Sequence, residues 1–254
     1  MQNTFTIRDR RVGLAQAPYF VAHLGHTLTA TQAQTLEALK AAAEAGADAI
    51  EIVFDEDLGT ERAAAICDKA WALDMAVFAA HVCHTDTLPE VVAGADAHVL
   101  CFPALTDLTF VARLAKLGRP LMICTEAAEL PEIEQAVKTA RDAGCTQLAV
   151  MHYVGADAAA AANANLHTLL DMSFRFDSVI GLADRSAGVA IAIAGVALGA
   201  TVICKPLADI EGYRRFIQEC RKAWQALGLI TYTLSDGERV TRARRAQTSD
   251  ALAG

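Results

Sequence analysis

The sequence predicts a single α/β domain closed into a (β/α)8 TIM barrel, and three observations point to it. Short apolar runs alternate with alanine-rich amphipathic segments eight times along the chain. A motif that closes a helix and opens a strand recurs as Ala45-Gly46-Ala47-Asp48, Ala93-Gly94-Ala95-Asp96, Ala143-Gly144-Cys145-Thr146 and Leu198-Gly199-Ala200-Thr201. The units together occupy residues 19–228, near the size at which eight βα repeats usually close on themselves.

Taken in order, strands are expected at 19–23, 48–53, 75–80, 97–101, 120–124, 147–151, 178–182 and 200–204. Each run is almost uncharged and rich in Val, Ile, Leu and Cys, as a parallel strand covered on both faces should be. Helices are expected at 31–45, 60–73, 86–93, 107–117, 130–143, 163–173, 187–198 and 209–227. Leu130-Pro131-Glu132-Ile133-Glu134 has the proline and early acids of a helix start. Gly46, Gly94, Gly118, Gly144 and Gly199 stand where left-handed C-caps are expected. No GxGxxG follows the first strand, which argues against an open dinucleotide-binding sheet. Residues 1–18 are expected to cap the N-terminal face, and 229–254 to form an extended basic tail.

Composition excludes several functions. The 254 residues are 54% hydrophobic, too apolar for general disorder. No uncharged stretch is long enough for a membrane span, and the polar first residues do not read as a signal peptide. A net charge of −8 leaves no basic face for nucleic acid; the cluster of Arg239, Arg242, Arg244 and Arg245 reads as a solvated terminus. Seven cysteines without a CxxC fit buried thiols in a reducing cytoplasm. The expected partner is a small-molecule substrate, and the expected assembly a homodimer.

In a barrel of this kind, chemistry sits at the C-terminal ends of the strands. His23 and His26 fall there after the first strand, Glu51 and Asp55 on and after the second, and His81, Cys83 and His84 after the third. Thr125 and Glu126 follow the fifth strand, His152 and Tyr153 the sixth, Asp184 and Arg185 the seventh, and Lys205 the eighth. Lys205 reads either as a desolvated amine able to form a Schiff base or as an ammonium paired with Glu51 or Asp184. His152 could move protons near neutral pH. Arg185, beside a helix N-terminus, suits an anion. His23, His81 and His84 with Glu51 or Asp55 offer an alternative divalent-metal site. His98 and His167 are assigned no role.

Several stretches resemble the sialic acid synthase family, barrel enzymes that condense phosphoenolpyruvate with an amino sugar. They include Phe20-Val21-Ala22-His23-Leu24-Gly25, Ala45-Gly46-Ala47-Asp48-Ala49-Ile50-Glu51, Gly181-Leu182-Ala183-Asp184-Arg185-Ser186 and Val196-Ala197-Leu198-Gly199-Ala200-Thr201-Val202-Ile203-Cys204-Lys205. The resemblance implies an aldolase-type barrel. It also likens the tail from Ser235 to the family's linker to a small antifreeze-like domain, which is expected to be absent. It places the family's two manganese-binding histidines at Arg185 and Pro206, and its phosphoenolpyruvate-binding lysines at Glu51 and Val99. The strand-1 acid falls at His23, the strand-2 glutamine at Val53, and the strand-5 serine and glycine at Cys124 and Glu126. Asp184, Lys205, Thr125 and His152 are kept.

The expectation is therefore a cytoplasmic barrel enzyme with altered chemistry. It would make or break a carbon–carbon bond in a small carbonyl or sugar-acid substrate, with no cofactor. Lys205, Glu51, His152 and Asp184 are the expected catalytic residues. Arg185, His23, His81, His84, Thr125 and Glu126 are expected to bind substrate. A metal-dependent hydrolase or isomerase using the histidines, and a non-catalytic ligand-binding relative, are the alternatives.

Overall fold

The computed structural model describes residues 4–25, 31–54, 58–81, 88–156 and 160–253. An antiparallel hairpin, β1 (Thr4–Ile7) and β2 (Arg10–Gly13), precedes the barrel. The barrel strands are β3 (Tyr19–His23), β4 (Ala49–Val53), β5 (Ala76–His81), β6 (Ala97–Leu100), β7 (Leu121–Cys124), β8 (Leu148–Val154), β9 (Val179–Asp184) and β10 (Val202–Pro206). Each pairs in parallel with the next, and β10 pairs with β3, so the described strands form a closed (β/α)8 barrel of the aldolase type.

The connecting helices are α1 (Gln32–Ala45), α2 (Thr60–Ala72), α3 (Glu90–Ala93), α4 (Leu108–Ala115), α5 (Leu130–Asp142), α6 (Ala160–Asn163), α7 (Thr168–Phe176), α8 (Ala190–Ala197) and α9 (Ile210–Leu227). Local chemistry fixes their ends. Thr31 and Gln34 form a capping box on α1, and the Asp107 carboxylate accepts from the Thr109 and Phe110 amides at the start of α4. Gly46 closes α1 with φ 91°, a conformation that costs glycine little. The left-handed cap expected at Gly94 is not formed: its φ is −79°, at the end of the four-residue α3. The tail also departs from expectation, since Asp236–Ala253 is a helix (α10) and not extended chain. Its residues Asp236–Thr248 are exposed, so it adds nothing to the core.

Two apolar layers hold the barrel. Strand residues that point outward, such as Ile50, Leu100 and Leu182, pack with the helices; those that point inward, such as Val21, Phe78 and Met151, fill the lumen. This is the period-2 consequence of the pleat. Gly181 shows how full the lumen is, because a Cβ there would meet the Met151 sulfur at 2.2 Å and the Val202 carbonyl at 2.8 Å. The hairpin plugs the N-terminal mouth. Phe5, Ile7 and Val12 join the lumen layer, and the Arg10 guanidinium lies 4.9 Å over the Tyr19 ring while bonding to Asp48. Chemistry is left to the opposite, C-terminal mouth.

Candidate active site

The strands run further than their apolar cores suggest, and this decides where the polar residues point. β8 continues to Val154, β9 to Asp184 and β10 to Pro206. Residues at their ends therefore obey the pleat. Cys204 faces in and Lys205 out; Tyr153 faces in and His152 out; Arg185, next after β9, reaches in while Asp184 points out.

Glu51 is the centre of the inward group. It is 5% exposed, on β4 beside His23 of β3 in the same register. Its Oε1 lies 2.6 Å from His23 Nδ1 and accepts from Arg185 Nη2 at 2.9 Å. Arg185 also donates to the Cys204 sulfur at 3.3 Å through Nη1. Burial disfavours the Glu51 carboxylate, but the Arg185 guanidinium and the His23 hydrogen bond outweigh it and hold the pKa at about 2. Burial and the nearby Glu51 push the Cys204 thiol upward, so it stays protonated. Below this group the lumen is packed, with a void of about 10 Å³ among Val21, Phe78, Met122 and Met151, at most one water's room.

Across the mouth, Cys101 and Cys124 form a second inward pair, with Glu126 and Tyr153 above them. Tyr153, half-buried near Glu126, has its phenol pushed to about 12 by burial and by that carboxylate. Thr125 does not line the mouth. Its hydroxyl accepts the Tyr153 amide at 3.0 Å and ties β7 to β8.

Three expected catalytic residues are not in the lumen. Lys205 Nζ donates to Asp184 Oδ2 at 2.8 Å and to the Ser186 carbonyl at 2.6 Å, forming a buried ion pair outside the strands. The pairing expected with Glu51 or Asp184 is thus made with Asp184. His152 donates through Nε2 to the Ala164 carbonyl at 2.7 Å, on the helix side. Arg185, expected to hold a substrate anion, is neutralised by Glu51. His26, Asp55, Cys83 and His84 lie outside the described residues.

His81 also faces outward. It is 1% exposed, 3.1 Å from His98 Nδ1 through its Nε2, and its ring stands edge-on to Phe110. It cannot join His23 around one ion. Desolvation, the neighbouring His98 and Arg113 lower the His81 pKa to about 3; desolvation and Arg119 lower His98 to about 4. Both are neutral when folded, whereas the unfolded chain protonates them near 6.5. The unfolded state therefore binds more protons between about pH 6.5 and about pH 4. Stability should fall as pH drops through that window, by about 1.4 kcal/mol per unit for each histidine. Urea unfolding across the window checks this, and His98→Gln should flatten the slope; an unchanged slope would count against the pair as its source.

The manganese implied by the resemblance does not fit. One ligand position is Arg185, a cation already bonded to Glu51 and Cys204, and the other is Pro206, which has no donor side chain. The donor atoms of His23, Glu51 and Cys204 lie within 4.8 Å of one another, but Arg185 occupies two of the three. The sequence places Tyr153 at the rim without assigning it a role, and reads the lumen cysteines only as buried thiols. Their inward direction follows from strand parity, since Cys101, Cys124, Tyr153 and Cys204 each stand two residues beyond an inward residue (Val99, Met122, Met151 and Val202).

Comparison with known proteins follows the same lines. A family model described as NeuB family matches residues 25–210. The spore coat polysaccharide biosynthesis protein SpsE of Bacillus subtilis is 26% identical over 232 residues, covering 79% of this chain and 62% of that protein. Its crystal structure superposes with TM-score 0.77 at 23% identity, over 92% of this chain and 75% of the other. The N,N'-diacetyllegionaminic acid synthase of Campylobacter jejuni is 30% identical over 103 residues, 40% of this chain and 31% of that protein. An N-acetylneuraminic acid synthetase from Leptospira borgpetersenii, solved with citrate, has TM-score 0.81 at 18% identity, covering 97% of each chain. The chain spans less than two thirds of the curated relatives it matches. Among the described residues, no helix is long and apolar enough to cross a membrane.

Proposed function

The chain belongs to the NeuB family, and from that premise we propose that it is a carbohydrate-biosynthetic enzyme whose proton transfer is carried by His23. The substrate read from the family is a small sugar acid or other carbonyl compound, handled in the cytoplasm. The observation that carries the proposal is the His23–Glu51–Arg185 chain of contacts at the C-terminal mouth.

A carboxylate on Nδ1 selects the tautomer with its proton on that nitrogen and leaves the Nε2 lone pair free to act as a base. Arg185 keeps Glu51 ionised and fixed, so the imidazole has a permanent counter-charge when it takes up a proton. Glycine at 25 keeps that edge of the ring clear, since a Cβ there would come within 2.4 Å of Nε2. In the step proposed, Nε2 removes a proton from the carbon next to a carbonyl. The C–H pair moves into the enolate, which then attacks an electrophilic carbon or is reprotonated. Phosphoenolpyruvate is a poor fit, because Glu51 stands where the resemblance places a phosphate-binding lysine and would repel the phosphate.

Exchange in heavy water tests the reading without knowledge of the second substrate. Purified protein with a panel of 2-keto sugar acids in D2O should wash out the proton next to the carbonyl, seen as signal loss by NMR. A panel with no exchange at any member, at enzyme concentrations where the compounds bind, would favour the non-catalytic alternative.

A further inference from the structure

We infer that the C-terminal mouth carries a zinc site, unrelated to the family's manganese position, built from Cys101, Cys124 and Glu126. β6 and β7 pair with Val99 opposite Met122 and Leu100 opposite Ile123, so the next residues, Cys101 and Cys124, stand side by side facing in. Glu126, two residues beyond Cys124, returns to the same face. The two sulfurs and a Glu126 carboxylate oxygen all lie within 4.8 Å of one another. Zinc–sulfur and zinc–oxygen bonds of about 2.3 and 2.0–2.2 Å place ligand atoms roughly 3.5–4 Å apart, so rotamer changes alone would close the set.

Three further features suit a metal. Both thiols are free and buried. The Tyr153 phenol stands near the Glu126 carboxylate, placed to supply the outer hydrogen bond that usually orients a ligating carboxylate. Glu126 is only half-buried, which leaves an entry path and a fourth position open to water or a ligand. The donor set of two sulfurs and one oxygen selects a borderline or soft ion over magnesium or calcium. Arg185 does not compete for this site, since its hydrogen bonds go to Glu51 and Cys204. Binding one Zn²⁺ displaces the two thiol protons to solvent and changes no oxidation state.

Cobalt gives the test a readout independent of activity. The full chain, reduced with a phosphine and stripped with a chelator, should bind one Co²⁺ and show a thiolate-to-cobalt charge-transfer band that Zn²⁺ bleaches. The Cys101→Ser/Cys124→Ser variant should lose the band and weaken zinc binding by at least ~100-fold in competition with a chromophoric chelator. Glu126→Gln should weaken it by about 10–100-fold, and Cys204→Ser should retain the band. Wild-type protein without a thiolate band overturns the inference, whatever the variants do. A band lost only in Cys204→Ser overturns it too, placing the ion with His23 and Glu51.

Discussion

Replacing His23 by alanine should slow deuterium exchange into a 2-keto sugar acid by about 10²–10⁴-fold, the usual contribution of a positioned base. Binding of the same compound, followed by ligand-observed NMR, should change only a few-fold, because the imidazole acts on a proton and not on the carboxylate end of the substrate. Glu51→Gln is the informative companion. It keeps the size of the side chain but removes the charge that fixes the tautomer, and it leaves Arg185 buried without a counter-ion. It should slow exchange and also lower stability, whereas His23→Ala should affect mainly the rate. If exchange proceeds at the wild-type rate in His23→Ala, the base is elsewhere. Borohydride added during exchange should leave no mass increment on Lys205; an adduct there would mean that the amine leaves its ion pair during turnover.

The second large effect is on stability. Asp184→Ala should destabilise the barrel by about 3–5 kcal/mol, because it strands the Lys205 ammonium in a site where its side chain is only 10% exposed. For a domain of this size that corresponds to a fall in Tm on the order of 10 °C. Replacing both partners, as in Asp184→Leu/Lys205→Met, removes the charge together with its desolvation and should recover most of the loss. Chemical denaturation of the single and double variants measures the difference. A double variant as unstable as Asp184→Ala would mean that packing, not the stranded charge, sets the effect.

The architecture was legible because its signals are local. Alanine-rich helices, short apolar runs and the Ala-Gly-Ala-Asp junctions repeat with the period of a βα unit. The rim was legible only as a neighbourhood. His23, Glu51, Glu126 and Arg185 do meet at the C-terminal mouth, but His81, His152, Asp184 and Lys205 sit on the far side of the same strands. The reason is geometric. Apolar residues mark where a strand is buried, not where its ladder ends, and β8, β9 and β10 continue for two or three residues beyond the apolar run. Treated as loop residues, His152 and Lys205 seem free to turn inward. Held in the ladder, each goes wherever its parity sends it. The hydrogen-bonded histidine pair escaped notice for the same reason, since His98 has meaning only once β5 and β6 are adjacent.

That alternation has an evolutionary corollary. At each strand terminus one of two neighbouring residues faces the helices and the other the mouth, so a change at one need not disturb the other. Asp184 and Lys205, two positions where the resemblance to the sialic acid synthase family holds, pair with each other outside the lumen. Arg185 and Glu51, where the resemblance fails, pair with each other inside it. Conservation at such rims, tallied without regard to odd and even positions, would report durability and be mistaken for retained activity.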